Sequence, residues 1–141
     1  MTAIIVHDLE HARAALRAAA DLGVPVTLRS APDAAACLGA AVFREIVTAA
    51  RAEHPDADCV AVLDCGGDPG FALAALRAGL KRIRVDVRPD VYARLADIAR
   101  QCGATLEDAK DEANRDSLAL DLLDCTSPLE RCRTWLSSSE R

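Results

Sequence analysis

Short β-branched runs alternate with longer amphipathic segments along this 141-residue chain. The runs Ala3–His7, Pro25–Arg29, Asp58–Asp64, Arg82–Asp86 and Ala104–Glu107 predict strands. Between them, Leu9–Leu22, Ala40–His54, Pro69–Gly79 and Asp90–Cys102 carry apolar residues at helical spacing. In Ala40–His54, for example, Val42, Phe43, Ile46, Val47 and Ala50 share a face, while Arg44, Glu45, Arg51 and Glu53 lie elsewhere. Gly23, Gly79 and Gly103 stand where a left-handed residue would end three of these helices. Strand and helix repeated four times predict parallel β–α units with right-handed crossovers.

The tail reads differently. Lys110–Asp124 predicts a helix, although Leu118, Leu120 and Leu122 also fit a strand-like alternation. Ser127-Pro128 punctuates the chain, Leu129–Leu136 predicts a short final helix, and Ser137–Ser139 looks like a frayed end. No linker composition interrupts the pattern. The expectation is one domain over 1–141, with βα repeats over 1–108 and a C-terminal helical extension over 109–141.

Two patterns bear on architecture. Asp58–Asp64 is nearly continuously apolar, as a strand covered on both faces should be. By contrast, Arg82-Ile83-Arg84-Val85-Asp86 alternates, as do Thr27 with Arg29 and Thr105 with Glu107, so one sheet face is partly polar. Two buried arginines are costly unless paired, which predicts that this face is open, rearranged or covered by a partner. The Pro69–Gly79 helix is apolar all round except for Arg77, which predicts burial under C-terminal helices or another subunit.

Composition narrows the function classes. Hydrophobic residues make up 51%, which argues against disorder, and aromatics only 3%, which argues against a stacking platform for single-stranded nucleic acid. The 29 alanines imply a core of closely approaching elements filled by Ala, Leu and Val. A net charge of −5 without a basic tract argues against duplex binding. The start shows no basic n-region or cleavage site, and no apolar run approaches a membrane span. The six cysteines form no Cys-x-x-Cys pair and read as free thiols. A cytoplasmic location, with no nucleic-acid and no membrane partner, is the expectation.

In a parallel sheet, chemistry collects at the C-terminal strand ends. Those ends here offer His7, Arg29, Ser30, Asp86 and Glu107 as ligand-binding candidates, and the run Val62-Leu63-Asp64-Cys65-Gly66-Gly67-Asp68-Pro69. That run, with Ala74, Leu76, Ala78 and Gly79 after it and then Arg82–Asp86, resembles the class II metal-dependent aldolases. In that family a Leu-Asp-His-Gly tetrapeptide ends the third barrel strand. The similarity extends through Asp8-Leu9-Glu10, Val24–Leu28, Phe43–Val47 with Glu53-His54-Pro55, and Gly103–Glu107, covering about residues 1–108.

The resemblance implies a truncated (βα) barrel, half of a TIM barrel, with about five parallel strands and C-terminal helices. An open flavodoxin-like three-layer αβα sheet is the alternative. Asp64 matches the family's proton-transferring aspartate, and Asp86 an acidic residue associated with a second metal. The zinc histidine, however, is Cys65 here, a possible thiolate ligand. Glu107 keeps the first Glu of a Glu-x-Glu motif whose second is Ala109; Ile5 and Ala31 replace an Asn and a Ser. The remaining zinc histidines and the Gly-rich phosphate cradle belong to later strands of the family's barrel.

Bland roles compete at each position. Asp68 before Pro69 fits a helix N-cap with proline at N1, and Gly66-Gly67 fits a tight turn. Asp64 could order that same turn. Three functions follow. The first is a degenerate, non-catalytic aldolase-like protein that self-assembles or binds a small phosphorylated metabolite, expected as a homodimer without cofactor. The second is a zinc-dependent aldehyde-lyase acting on a sugar phosphate, its site completed across a dimer. The third is a receiver-like signalling domain resting on Asp8, Asp64 and Lys110.

Overall fold

The structure, a computed structural model, describes residues 2–111 and 119–139. Among these described residues, six strands and six helices run β1 (Thr2–Val6), α1 (Leu9–Leu22), β2 (Val26–Ser30), α2 (Ala34–Cys37), α3 (Ala40–Glu53), β3 (Cys59–Asp64), α4 (Pro69–Arg77), β4 (Arg82–Val85), α5 (Pro89–Gln101), β5 (Thr105–Asp108), β6 (Leu120–Asp121) and α6 (Pro128–Ser139). The hydrogen-bonded strand order is β5-β4-β3-β2-β1-β6, a linear order with β5 and β6 at its ends. β1/β6, β3/β4 and β4/β5 pair in parallel.

Sequential neighbours in chain order are what successive β–α units of a barrel wall give. A flavodoxin-like sheet would instead place β1 between β2 and β3. The strand order therefore overturns the flavodoxin-like alternative, and with it the receiver-like architecture. The truncated barrel-like α/β fold is the one the chain adopts.

The chain divides into two compact units. The first draws on Met1–Arg29, Glu45–Ala61 and Asp116–Arg141, the second on Ser30–Arg44 and Val62–Arg115. In the first, Ala3–Val6 of β1 are buried on both faces, and α1 turns Ala12, Ala15, Leu16 and Ala19 inward. Asp8 caps α1 by accepting from the His11 N–H at 2.8 Å, and left-handed Gly23 ends it, donating its N–H to the Ala19 and Ala20 carbonyls. α6 packs along α1, with Arg133 Nη2 at 2.7 Å from Asp21 Oδ2.

The tail departs from expectation. Leu120–Asp121 is a strand, not the end of a helix, and it pairs with Ile4 and Ile5 of β1. The alternation of Leu120 and Leu122, both buried, prevails because β1 offers unpaired backbone groups along its edge. Lys110, Asp111, Ala119 and Leu122–Asp124 are not helical either, and the remainder of the predicted Lys110–Asp124 helix, at 112–118, lies outside the described residues.

In the second unit, α4 is capped by Asp68, whose carboxylate accepts from the Gly70 N–H at 2.8 Å, with Pro69 at the first helical position. Within the single chain its burial is one-sided. Ala72, Ala75 and Leu76 are buried, but Phe71 is 38% exposed. Alanines on one side of the helix give close packing without requiring cover on the other. α5 packs on α4 and β5, burying Leu95 and Ala99. Among the described residues, no helix is long and apolar enough to cross a membrane.

Candidate functional site

Three strands of the second unit set one row of charged side chains. Asp64 ends β3, Arg84 lies directly beside it on β4, and Glu107 lies directly beside Arg84 on β5. In-register neighbours project from the same face, so alternation in each strand is enough to make the row. Arg84 Nε lies 3.7 Å from Asp64 Oδ2, and Arg84 Nη1 lies 3.9 Å from Glu107 Oε2. Arg82, one pleat earlier, donates from Nη1 to Glu107 Oε1 at 3.1 Å. The Arg84 side chain is 4% exposed, and those of Asp64 and Glu107 are 13%.

These contacts resolve how two arginines can share one face of a strand. The face is neither left open nor in need of a partner at this point. Each guanidinium meets a carboxylate from a neighbouring strand, the condition under which a buried charge is tolerated.

Asp64 is committed on its other oxygen too. Oδ1 accepts from the backbone N–H of Gly66 at 2.9 Å and of Asp33 at 3.1 Å. Its own N–H donates to Ser30 Oγ at 2.8 Å, and Ser30 in turn donates to the Ala31 carbonyl at 3.1 Å. Gly66 is left-handed, with φ +63°, and a Cβ there would collide with Asp33 Oδ1. Asp64, Asp33 and Gly66 therefore lock the loop after β2 to the loop after β3. Asp33 is not among the sequence candidates; its signal is weak, a lone Asp after Pro32.

The remaining candidates fall elsewhere. Asp86 is exposed, 3.2 Å from Lys110 Nζ, while Lys110 also donates to the Val87 carbonyl at 3.0 Å. Lys110, on which the receiver-like reading rests, is thus held by Asp86. His7 and Arg29 belong to the first unit. Arg29 is buried in β2. His7 Nε2 lies 2.6 Å from Asp121 Oδ1, and its backbone N–H donates to His11 Nδ1 at 3.1 Å.

Cys65 occupies the position of the metal histidine in the resembled family. The residue is 2% exposed, and its thiol donates to the Leu63 carbonyl, with Sγ 3.8 Å from the oxygen. Burial, with the neighbouring Asp64 charge adding to it, pushes its pKa up to about 12. A zinc ligand must turn its sulfur toward an ion held by other donors; this thiol is buried and turned onto the Leu63 carbonyl, so the residue does not fit the ion. Among the described residues, no three His, Cys, Asp or Glu side chains gather where they could hold a metal.

The family profile for "Fructose-bisphosphate aldolase class-II" matches residues 1–107. The chain belongs to this family. A curated relative named "Fructose-bisphosphate aldolase, plasmid", from Cupriavidus necator, is 29% identical over 116 residues. That alignment takes in 72% of this chain but 34% of the relative, so the chain spans about a third of the aldolase it matches. Within this aldolase-family domain, Asp64 and Asp86 stand at acidic positions of the resembled pattern, and Cys65 marks its departure.

Proposed function

We propose that this chain is a non-catalytic class II aldolase-like domain whose role is self-assembly or the binding of a small phosphorylated metabolite. The observation that carries the reading is the state of Asp64 and Cys65. The carboxylate is held by two backbone N–H groups and faces a buried guanidinium, while the neighbouring thiol is buried and turned onto the Leu63 carbonyl. Aldol cleavage in the resembled family relies on a metal to polarise the substrate carbonyl, and the residues at this position do not fit that metal. Asp64 alone could supply acid–base help of roughly 10²–10⁴-fold, well short of ordinary enzymatic acceleration.

Self-assembly draws support from β5, which ends the sheet and leaves one edge without a neighbouring strand among the described residues, an edge that proteins ordinarily cover or blunt. Two measurements test the proposal together. A coupled aldolase assay on fructose 1,6-bisphosphate with added zinc or cobalt should show no metal-dependent turnover. Light scattering at micromolar concentration should give twice the chain mass; a monomer mass would remove the homodimer.

The retained Asp64 and Asp86 favour a second reading, an aldehyde-lyase completed across that dimer. It requires metal-dependent turnover that Asp64→Asn abolishes while the variant stays folded at the assay temperature.

A further inference from the structure

Asp64 and Glu107 sit two strands apart on one face, about 9.5 Å between strand axes at ordinary sheet spacing. Both carboxylates are largely withdrawn from water, and both turn toward the strand between them. Two carboxylates withdrawn from water and turned toward one volume repel each other unless a cation lies between them. In this chain the cation is a side chain of the intervening strand.

We propose that Arg84 is the resident cation of the site, a guanidinium built into the fold that neutralises the Asp64–Glu107 pair and closes it to divalent ions. Arg82 reinforces the exclusion. With both arginines in place the four groups sum to zero formal charge, and an incoming divalent ion would face two guanidinium groups. Remove Arg84, and Asp64 Oδ2 and Glu107 Oε2 face an emptied volume, with Arg82 still on Glu107 Oε1. That donor set, oxygen only, suits a hard ion that keeps several waters, such as Mn²⁺ or Mg²⁺, rather than zinc. The inference rests on the reading that this domain has given up its family's metal, but it concerns a different residue and a different ion.

The test is a set of thermal melts with and without millimolar MnCl₂, on wild type, Arg84→Met and the triple variant Arg84→Met/Asp64→Asn/Glu107→Gln. The amides keep the shapes and the oxygen acceptors while removing both negative charges. Wild type should not respond to Mn²⁺. Arg84→Met should melt lower by about 10–20 °C, the scale of a buried charge pair broken on one side, and Mn²⁺ should restore part of that loss. The triple variant should regain most of the stability and ignore the ion. Should Arg84→Met fail to fold alone, refolding in Mn²⁺ and the triple variant's folding without it carry the same prediction. The proposal is overturned if Mn²⁺ stabilises wild type, if it leaves Arg84→Met unchanged, or if the triple variant melts no higher than Arg84→Met. An aldolase assay that found activity would strike the non-catalytic reading, while the triple variant's recovery reports on the charge balance between Arg84 and its two carboxylates.

Discussion

His7 and Asp121 join the end of β1 to the end of β6, with His7 Nε2 at 2.6 Å from Asp121 Oδ1. Asp121 also accepts from the Leu123 N–H at 2.9 Å. Partial burial alone would raise its pKa; the bonds from His7 and Leu123 outweigh that and hold it below the usual carboxylate range. The pair therefore fastens the short sixth strand to the first.

A carboxylate whose folded pKa is depressed adds stability above its unfolded pKa and loses it as pH falls through the folded value. The contribution of Asp121 should be present above about pH 4 and vanish below it. Because the side chain is about half exposed, its size should be at most about 1 kcal/mol. Melts of wild type and Asp121→Asn between pH 3 and 6 should differ at the upper end and converge at the lower. Parallel curves would place the stabilisation elsewhere.

Gly66→Ala should destabilise by about 1–3 kcal/mol. The left-handed backbone alone costs an L-residue about 1–2 kcal/mol, and the methyl would displace the Asp33 carboxylate. Urea unfolding should show the larger loss in wild type and a smaller one in an Asp33→Ala background, where only the backbone cost remains.

Replacing Asp64 separates its charge from its hydrogen bonds. Asp64→Ala strips the Asp33 and Gly66 N–H groups of their acceptor and leaves Arg84 short of a carboxylate. A loss of about 2–4 kcal/mol is expected by equilibrium unfolding. Asp64→Asn keeps an acceptor oxygen and should cost less. Equal costs would mean that the two backbone bonds contribute nothing measurable.

The element pattern is legible in the sequence because apolar spacing and glycine stops agree along β1 to β5. α1 has the predicted bounds, and β1 to β5, α3, α4 and α5 differ by a residue or two at their ends; the four-residue α2 is not anticipated, and α6 continues through Ser139 where a frayed end is expected. β6 is obscured because the strand-like alternation of Leu118, Leu120 and Leu122 lies in a segment that also reads as helix; pairing with β1, more than a hundred residues earlier, decides between the two. The one-sided burial of α4 within the chain is hidden for a related reason, since composition does not say which face packs. At the site, alternation in Arg82–Asp86 puts both arginines on one face, and the family pattern marks Asp64. The cross-strand register that brings Asp64, Arg84 and Glu107 into one row is a property of three strands together. No single segment contains it.

Cysteine reactivity should follow burial. Cys65 and Cys132 are buried, and both thiols are pushed up to about 12, Cys132 by burial and then by neighbouring Cys125. Cys37 and Cys102 are exposed. Iodoacetamide at pH 8 on the folded protein, read by peptide mass spectrometry, should label Cys37 and Cys102 and spare Cys65 and Cys132 until denaturant is added. Rapid labelling of Cys65 in the native state would mean an accessible thiolate at the position of the family's metal ligand.

The central claim is that this aldolase-family domain keeps the fold and the aspartate while its metal position has become a buried thiol. Elemental analysis of protein purified in the presence of zinc tests it most directly. The expected result is zinc far below one ion per chain, unchanged in Cys65→Ala. A content near one zinc per chain, the stoichiometry of a catalytic site, lost in Cys65→Ala, would contradict it.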